Sequence, residues 1–322
     1  MVREIKLFVK CSKFVITFYN IKKINTRLNY ITLLRVKHWV KNLFLFIPLF
    51  FAGDLFDLNK ILQTAFGFIA FSLVASSTYI LNDYRDIEAD RTHPEKSNRP
   101  LASGTITKRK AILILLICAI TGLALAYVLN TKFLFIVCIY FAMNLLYSFG
   151  LKYISILNMM MISIGFVLRV MAGGAVTGIH VTPWLTMMVF LLALFMVIAR
   201  WRDEILLAIR TNKEVRKPTR YYNLDFISTC LVLISAVTIV AYIMYTISLE
   251  TVNKFHAPRL YYTSLFVITG IFRYLQLTFI QNNTEAHTDI LYRDKFIQIT
   301  ILLWIASFYF IIYFPEIQLF TE

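Results

Sequence analysis

Asn82, Asp83, Asp86 and Asp90 follow one another directly after a long apolar run. If that run continues as a helix at about 100° per residue, Asp86 lies about 60° and Asp90 about 20° from Asp83 around the axis. The three carboxylates then share one face over about 10 Å. Oxygen ligands so arranged suit one or two magnesium ions clamped to a chain of phosphates, because magnesium keeps part of its shell for water and substrate phosphate. The alternative is a solvated helix end whose acids pair with Arg85 and Arg91, but three like charges on one face repel unless a cation gathers them. The spacing and the missing loop glycine exclude a calcium-binding EF-hand. The next segment, His93 to Gly104, contains Pro94, Pro100 and Gly104 and cannot stay helical. It reads as a loop folded back over the carboxylates, a candidate lid, from which Lys96 and Arg99 can neutralise phosphate oxygens.

Other polar residues interrupt the apolar pattern. Arg200, Arg202, Asp203 and Glu204 end another apolar run. Arg200 and Glu204 are four residues apart, which permits a plain salt bridge. It equally permits a split role, the arginines holding phosphate while Asp203 or Glu204 meets metal or a sugar hydroxyl. Arg35, Lys41 and Asn42 stand at the start of the first run, where a cation at the mouth of a helix bundle can meet a lipid phosphate. Tyr147 and Lys152 stand at the end of the fourth run and can add phosphate or hydroxyl contacts. Arg169 sits well inside the fifth run, where an unpaired charge costs at least ~2.5 kcal/mol, so it should point into the bundle.

The elements that must position these groups are membrane helices. Of 322 residues, 59% are hydrophobic and only 16% charged, with mean hydropathy +0.68, which is too apolar for a soluble domain. Nine apolar runs, at about 40–56, 61–82, 111–129, 133–149, 154–174, 183–199, 226–249, 260–280 and 296–314, approach the length that crosses a bilayer. The expectation is an all-α polytopic bundle of nine transmembrane helices over 35–322, preceded by a basic amphipathic segment, 1–34, lying on the membrane. Lys and Arg crowd before the first run and in the second and sixth connections, while the opposite side holds only Lys60, Lys132, Lys254 and Arg259. By the positive-inside rule the N-terminus and the polar clusters face the cytoplasm and the C-terminus lies outside.

Membrane topology and anionic lipid account for the net charge of +15 without nucleic acid. The scattered cysteines make neither a disulfide framework nor a zinc site. Asn282 formally opens a glycosylation triplet, but on the cytoplasmic side. The sequence allows a homo-oligomer and does not specify one.

The string Asn82-Asp83-x-x-Asp86-x-x-x-Asp90 after a second span resembles the UbiA superfamily of intramembrane prenyltransferases. R-V-K-H-W-V-K-N at 35–42, S-N-R-P-L-A-S-G at 97–104, Y-S-F-G-L-K at 147–152, G-F-V-L-R-V-M-A-G-G at 165–174 and R-W-R-D-E-I-L at 200–206 are similar to its decaprenyl-phosphate phosphoribosyltransferase branch, as are 222–226 and 289–295. The resemblance implies Mg2+-dependent transfer of 5-phosphoribose from phosphoribosyl diphosphate to a polyprenyl phosphate in a bacterial-type cytoplasmic membrane. It places Asn82, Asp83, Asp86 and Asp90 on magnesium and diphosphate, and Arg200, Arg202, Asp203 and Glu204 at the second polar motif. The chain departs from the family with Arg200 for the usual lysine and Asn158 where many members carry aspartate. Two other functions remain: prenyl transfer from a polyprenyl diphosphate to an aromatic or other small acceptor, and a transporter or lipid-binding protein without catalysis.

Overall fold

A computed structural model describes residues 29–92, 96–211, 222–280 and 294–314. The expected surface segment at the N-terminus lies almost wholly outside these residues, as do Asn282 and most of the 289–295 motif. After a 3-10 helix at Val36–Phe46 come α1 (Ile47–Ala52), α2 (Leu58–Arg85), α3 (Ile87–Arg91), α4 (Lys108–Leu129), α5 (Thr131–Phe149), α6 (Leu157–Thr177), α7 (Pro183–Thr211), α8 (Leu224–Ile247), α9 (Leu249–Phe255), α10 (Ser264–Phe279) and α11 (Lys295–Tyr313). No strand occurs among the described residues.

Seven of these helices, α2, α4 to α8 and α11, are long and apolar enough to cross a bilayer. The chain is therefore an all-α, multi-pass membrane protein. The other two of the nine expected runs are built differently. The run at 40–56 is divided between the 3-10 helix and the six-residue α1. Pro48, at the start of α1, has no N–H to extend the preceding turn, and Gly53 at φ +83° ends the helix. The run at 260–280 opens with a 3-10 turn at Leu260–Thr263 and leaves α10 only 16 residues. That is about 24 Å of helix against about 30 Å of hydrocarbon.

Two compact units make up the chain: residues up to Leu43 with Phe68–Val128, and Phe44–Gly67 with Leu129 onward. In the first, small polar side chains on α2 replace the missing hydrogen bonds of the irregular entry segment. Ser76 donates to the Leu34 carbonyl at 2.8 Å and accepts from Trp39 Nε1 at 3.0 Å, and Asn42 Nδ2 donates to Ser72 Oγ at 2.8 Å. In lipid such groups must find partners within the protein. Leu33, Ile80, Ile87, Leu101 and Ile106 close the apolar cluster beneath the loop that follows α3.

The second unit packs Leu191, Leu194, Phe195 and Ile198 of α7 against Ile227, Leu231 and Ile234 of α8. Toward the other end of α8, Trp304 Nε1 donates to Tyr242 OH at 2.7 Å, which lies 2.7 Å from Thr263 Oγ1. Glycine permits the closest approach in this unit: a Cβ on Gly173 would fall 2.0 Å from the Leu45 carbonyl oxygen. Backbone cannot yield there as a side-chain end can. Gly173→Ala should cost about 2–3 kcal/mol and lower the thermal midpoint in detergent; an unchanged midpoint would show that residues 44–46 can shift without penalty.

Candidate active site

In the first unit the chemistry gathers where α2 ends. Tyr79, Asp83 and Asn82 occupy its last turns, and α3 restarts after Asp86, whose φ of −96° and ψ of 8° interrupt the regular helix. Asp83 is 3% exposed and Asp90 2%. Arg35, forty-eight residues earlier, donates Nε to Asp83 Oδ2 at 3.3 Å and NH2 to Asp83 Oδ1, and its guanidinium lies 5.2 Å above the Tyr79 ring. Arg99 NH1 donates to both Asp83 Oδ1, at 3.0 Å, and Asp90 Oδ2, at 2.7 Å. Lys96 stands 3.9 Å from Asp90 Oδ1.

These contacts settle part of the helical-face expectation. Asp83 and Asp90 do converge, bridged by one guanidinium. Asp86 accepts from Asn82 Nδ2 at 3.1 Å, one helical turn back, and keeps the backbone bond of its amide to the Asn82 carbonyl at 3.0 Å. Among the described residues no three His, Cys, Asp or Glu side chains come together as an ion site. The donors still fit magnesium chemically: carboxylate and amide oxygens, two of the acids buried, beside cations able to take phosphate.

The loop after α3 folds back onto the site as its composition predicts. A 3-10 turn at Lys96–Asn98 leads into Arg99, Ile106 N and Thr105 Oγ1 both bond the Pro100 carbonyl, and Gly104 takes φ +76°. Arg91 Nε donates to the Ala102 carbonyl at 3.3 Å. Leu101 and Ala102, which follow Arg99, are buried, so the loop is anchored beside the residue that bridges the two carboxylates. Lys41, half-buried on the 3-10 helix, and Asn42, buried and tied to Ser72, lie in or beside this unit's entry segment.

The second unit carries the other polar groups. Arg200 is exposed on α7, which continues past it to Thr211, whereas Arg202 is 4% exposed. Arg202 Nε donates to Ser228 Oγ and NH1 to the Thr278 carbonyl, each at 3.0 Å. One carboxylate oxygen each of Asp203 and Glu204 is buried. Lys152 is buried at 6% exposure, its ammonium 5.3 Å from the Tyr153 ring, and its carbonyl accepts from Asn158 Nδ2 at 2.6 Å. Tyr222 OH accepts from Ser155 Oγ and from the Ile156 amide, bracing a turn where Ile156 has φ +63°. Tyr147 is half-buried in the last turn of α5.

Arg169 points inward as its cost requires: it is 4% exposed, donates to the Gly165 carbonyl at 2.6 Å and to Tyr140 OH at 3.0 Å, and lies over the Tyr140 and Phe166 rings. Sequence reasoning missed Tyr79, Tyr140, Ser228 and Thr278, and placed Tyr222 only as part of the 222–226 motif. Tyr79 was within reach, one helical turn before Asp83 on the same face; the others are chosen by packing between distant segments.

Residues 43–300 match the model of the UbiA prenyltransferase family. The chain belongs to that family. A decaprenyl-phosphate phosphoribosyltransferase of Mycolicibacterium smegmatis is 30% identical over 292 residues, covering 87% of this chain and 91% of the relative. An uncharacterized protein, y4nM, of Sinorhizobium fredii is 30% identical over 260 residues, covering 80% of this chain but only 50% of that longer protein. Among solved structures, a UbiA homolog from Archaeoglobus fulgidus bound to DMAPP and Mg2+ superposes with a TM-score of 0.66 at 19% identity, over 88% of this chain and 99% of the other. At that identity the match speaks to the fold. This UbiA-family chain is thus a membrane transferase, and the arginine-bridged aspartates at the end of α2 are the first place to look for its chemistry.

Proposed function

We propose that the protein moves 5-phosphoribose from phosphoribosyl diphosphate to a polyprenyl phosphate and releases diphosphate. The Arg35–Asp83–Arg99–Asp90 network carries the reading: buried carboxylates and guanidiniums at a span end suit a ligand that arrives as metal and diphosphate together. Asn82, Asp83, Asp86 and Asp90 would hold magnesium. Bound there, it would stabilise the departing diphosphate.

The residues of the chain do the rest. Arg35, Lys96 and Arg99 can exchange their carboxylate contacts for phosphate oxygens, and arginine does so through a planar two-donor fork. Negative charge delivered with the donor replaces that lost from the aspartates when metal takes them. In the transfer the bond from ribose C1 to the diphosphate oxygen breaks, and one forms from C1 to the lipid phosphate oxygen. A phosphate nucleophile is already ionised near neutral pH, so no protein nucleophile is required; the gain comes from bringing two anions together in order. The 96–104 loop would keep water from C1.

In the second unit we assign Asp203 and Glu204 to the sugar or metal, and Tyr147, Lys152 and Arg200 to phosphate, with Arg35, Lys41 and Asn42 near the lipid end of the first. Arg169 supports the fold around these groups. The distribution of Lys and Arg supports a cytoplasmic site in a bacterial-type inner membrane, with the N-terminus inside and the C-terminus outside. Identity of 30% to named phosphoribosyltransferases over most of the chain supports the choice of sugar.

Purified protein given labelled phosphoribosyl diphosphate, polyprenyl phosphate and magnesium should move label into the organic phase, and chelation should stop it. Label that stays in water while a prenyl diphosphate alkylates an aromatic acceptor would replace this reading with prenyl transfer. Inactivity with both donors, alongside saturable lipid binding, would favour a non-catalytic protein.

A further inference from the structure

We infer that Arg202 is a positioning residue: it fixes the rotation of α7 about its own axis and so aims Asp203 and Glu204, rather than holding the substrate. The inference rests on the assignment of those two carboxylates to the site.

The sequence offers Arg200 and Arg202 as equivalent cations, yet the structure treats them oppositely. Arg200 is exposed. Arg202 is buried and spans two other helices. Its Nε meets Ser228 on α8 and its NH1 meets the Thr278 carbonyl in the last turn of α10. Carbonyls in a final helical turn lack intrahelical donors and carry the negative end of the helix dipole, so a guanidinium is well placed there. The Phe279 ring lies 4.5 Å from the same guanidinium. One planar group therefore meets a hydroxyl, a carbonyl and a ring face at once, which the single point of a lysine ammonium cannot do.

On a helix, pinning Arg202 leaves Asp203 about 100° and Glu204 about 200° further round. At a side-chain radius of about 5–6 Å, each 10° of helix rotation moves a carboxylate by about 1 Å. Misplacement by that distance is enough to cost about a hundredfold in rate. Tyr274, one turn before Thr278 on α10, lies within electrostatic reach of both Arg202 and Asp203.

The test compares Arg202→Gln, Arg202→Lys, Asp203→Asn and the Arg202→Gln/Asp203→Asn double variant with the native protein in the labelled-donor assay. Positioning predicts that Arg202→Gln lowers kcat by about 30–100-fold with donor KM within about threefold, that Arg202→Lys fails to rescue, and that the double variant loses clearly less than the product of the two single losses. A tenfold rise in donor KM with kcat kept, or losses that multiply in the double variant, overturns it. A second readout needs no substrate: spin labels at the exposed positions 207 and 233, in a background without native cysteines, report the setting of α7 against α8. Arg202→Gln should broaden or shift that distance, and an unchanged distribution refutes the inference. If native protein transfers no phosphoribose, the functional proposal fails while the label distance still decides the part played by Arg202.

Discussion

Asp83→Asn should abolish turnover and also weaken the fold, whereas Asp86→Asn should abolish turnover alone. Both would lose a magnesium ligand, and a loss of at least about a thousandfold, about 4 kcal/mol of barrier, is expected for each. Their surroundings differ. Asp83 is buried and receives both Arg35 and Arg99. Removing its charge leaves two guanidiniums against a neutral amide. Breaking a fully buried pair costs about 3–5 kcal/mol; Arg35 and Arg99 retain 18% and 25% side-chain exposure, so about 1–3 kcal/mol is the discounted expectation. Asp86 is only half-buried and takes an amide donor, so its substitution should shift stability by less than about 1 kcal/mol. Thermal unfolding in detergent separates the pair, and initial rates at saturating magnesium test the shared loss. An active Asp83→Asn protein would remove the first unit from the chemistry.

Arg169 gives the second large effect. Arg169→Ala should cost about 3–5 kcal/mol, since it takes the donor from the Tyr140 hydroxyl, removes a second donor to the Gly165 carbonyl and opens a cavity beside two rings. Arg169→Met fills the space and removes the charge that had to be desolvated. Replacing a buried charge by a well-packed apolar chain is often nearly neutral, so Arg169→Met should recover most of the folded yield. Activity then separates two roles: a stable, active Met variant marks Arg169 as a brace, and a stable, inactive one puts its guanidinium in the site proper.

Much of this could be read from the chain because bilayer chemistry is severe. Hydrocarbon admits only backbone that satisfies itself, so long apolar runs had to be helices. Seven of the nine runs obey this directly. The other two look similar in hydropathy, and what divides them is local: a proline and a glycine around α1, and a 3-10 start that shortens α10. The site was legible to the same degree. Periodicity correctly brought Asp83 near Asp90, and the proline-containing segment did fold back to deliver Arg99. For Arg200 and Arg202 the spacing suggested one role, but burial separates them.

What the sequence alone determined is the membrane class, the helices, the polar groups at the span ends and the family motif, because each depends on residues close together along the chain. The tertiary structure alone decided which partner each charge takes: Arg35 reaching Asp83 across forty-eight residues, Arg202 claimed by α8 and the end of α10, and Arg169 set beside two rings. A buried ion settles where it recovers its lost hydration, and that choice depends on which distant helices pack beside it.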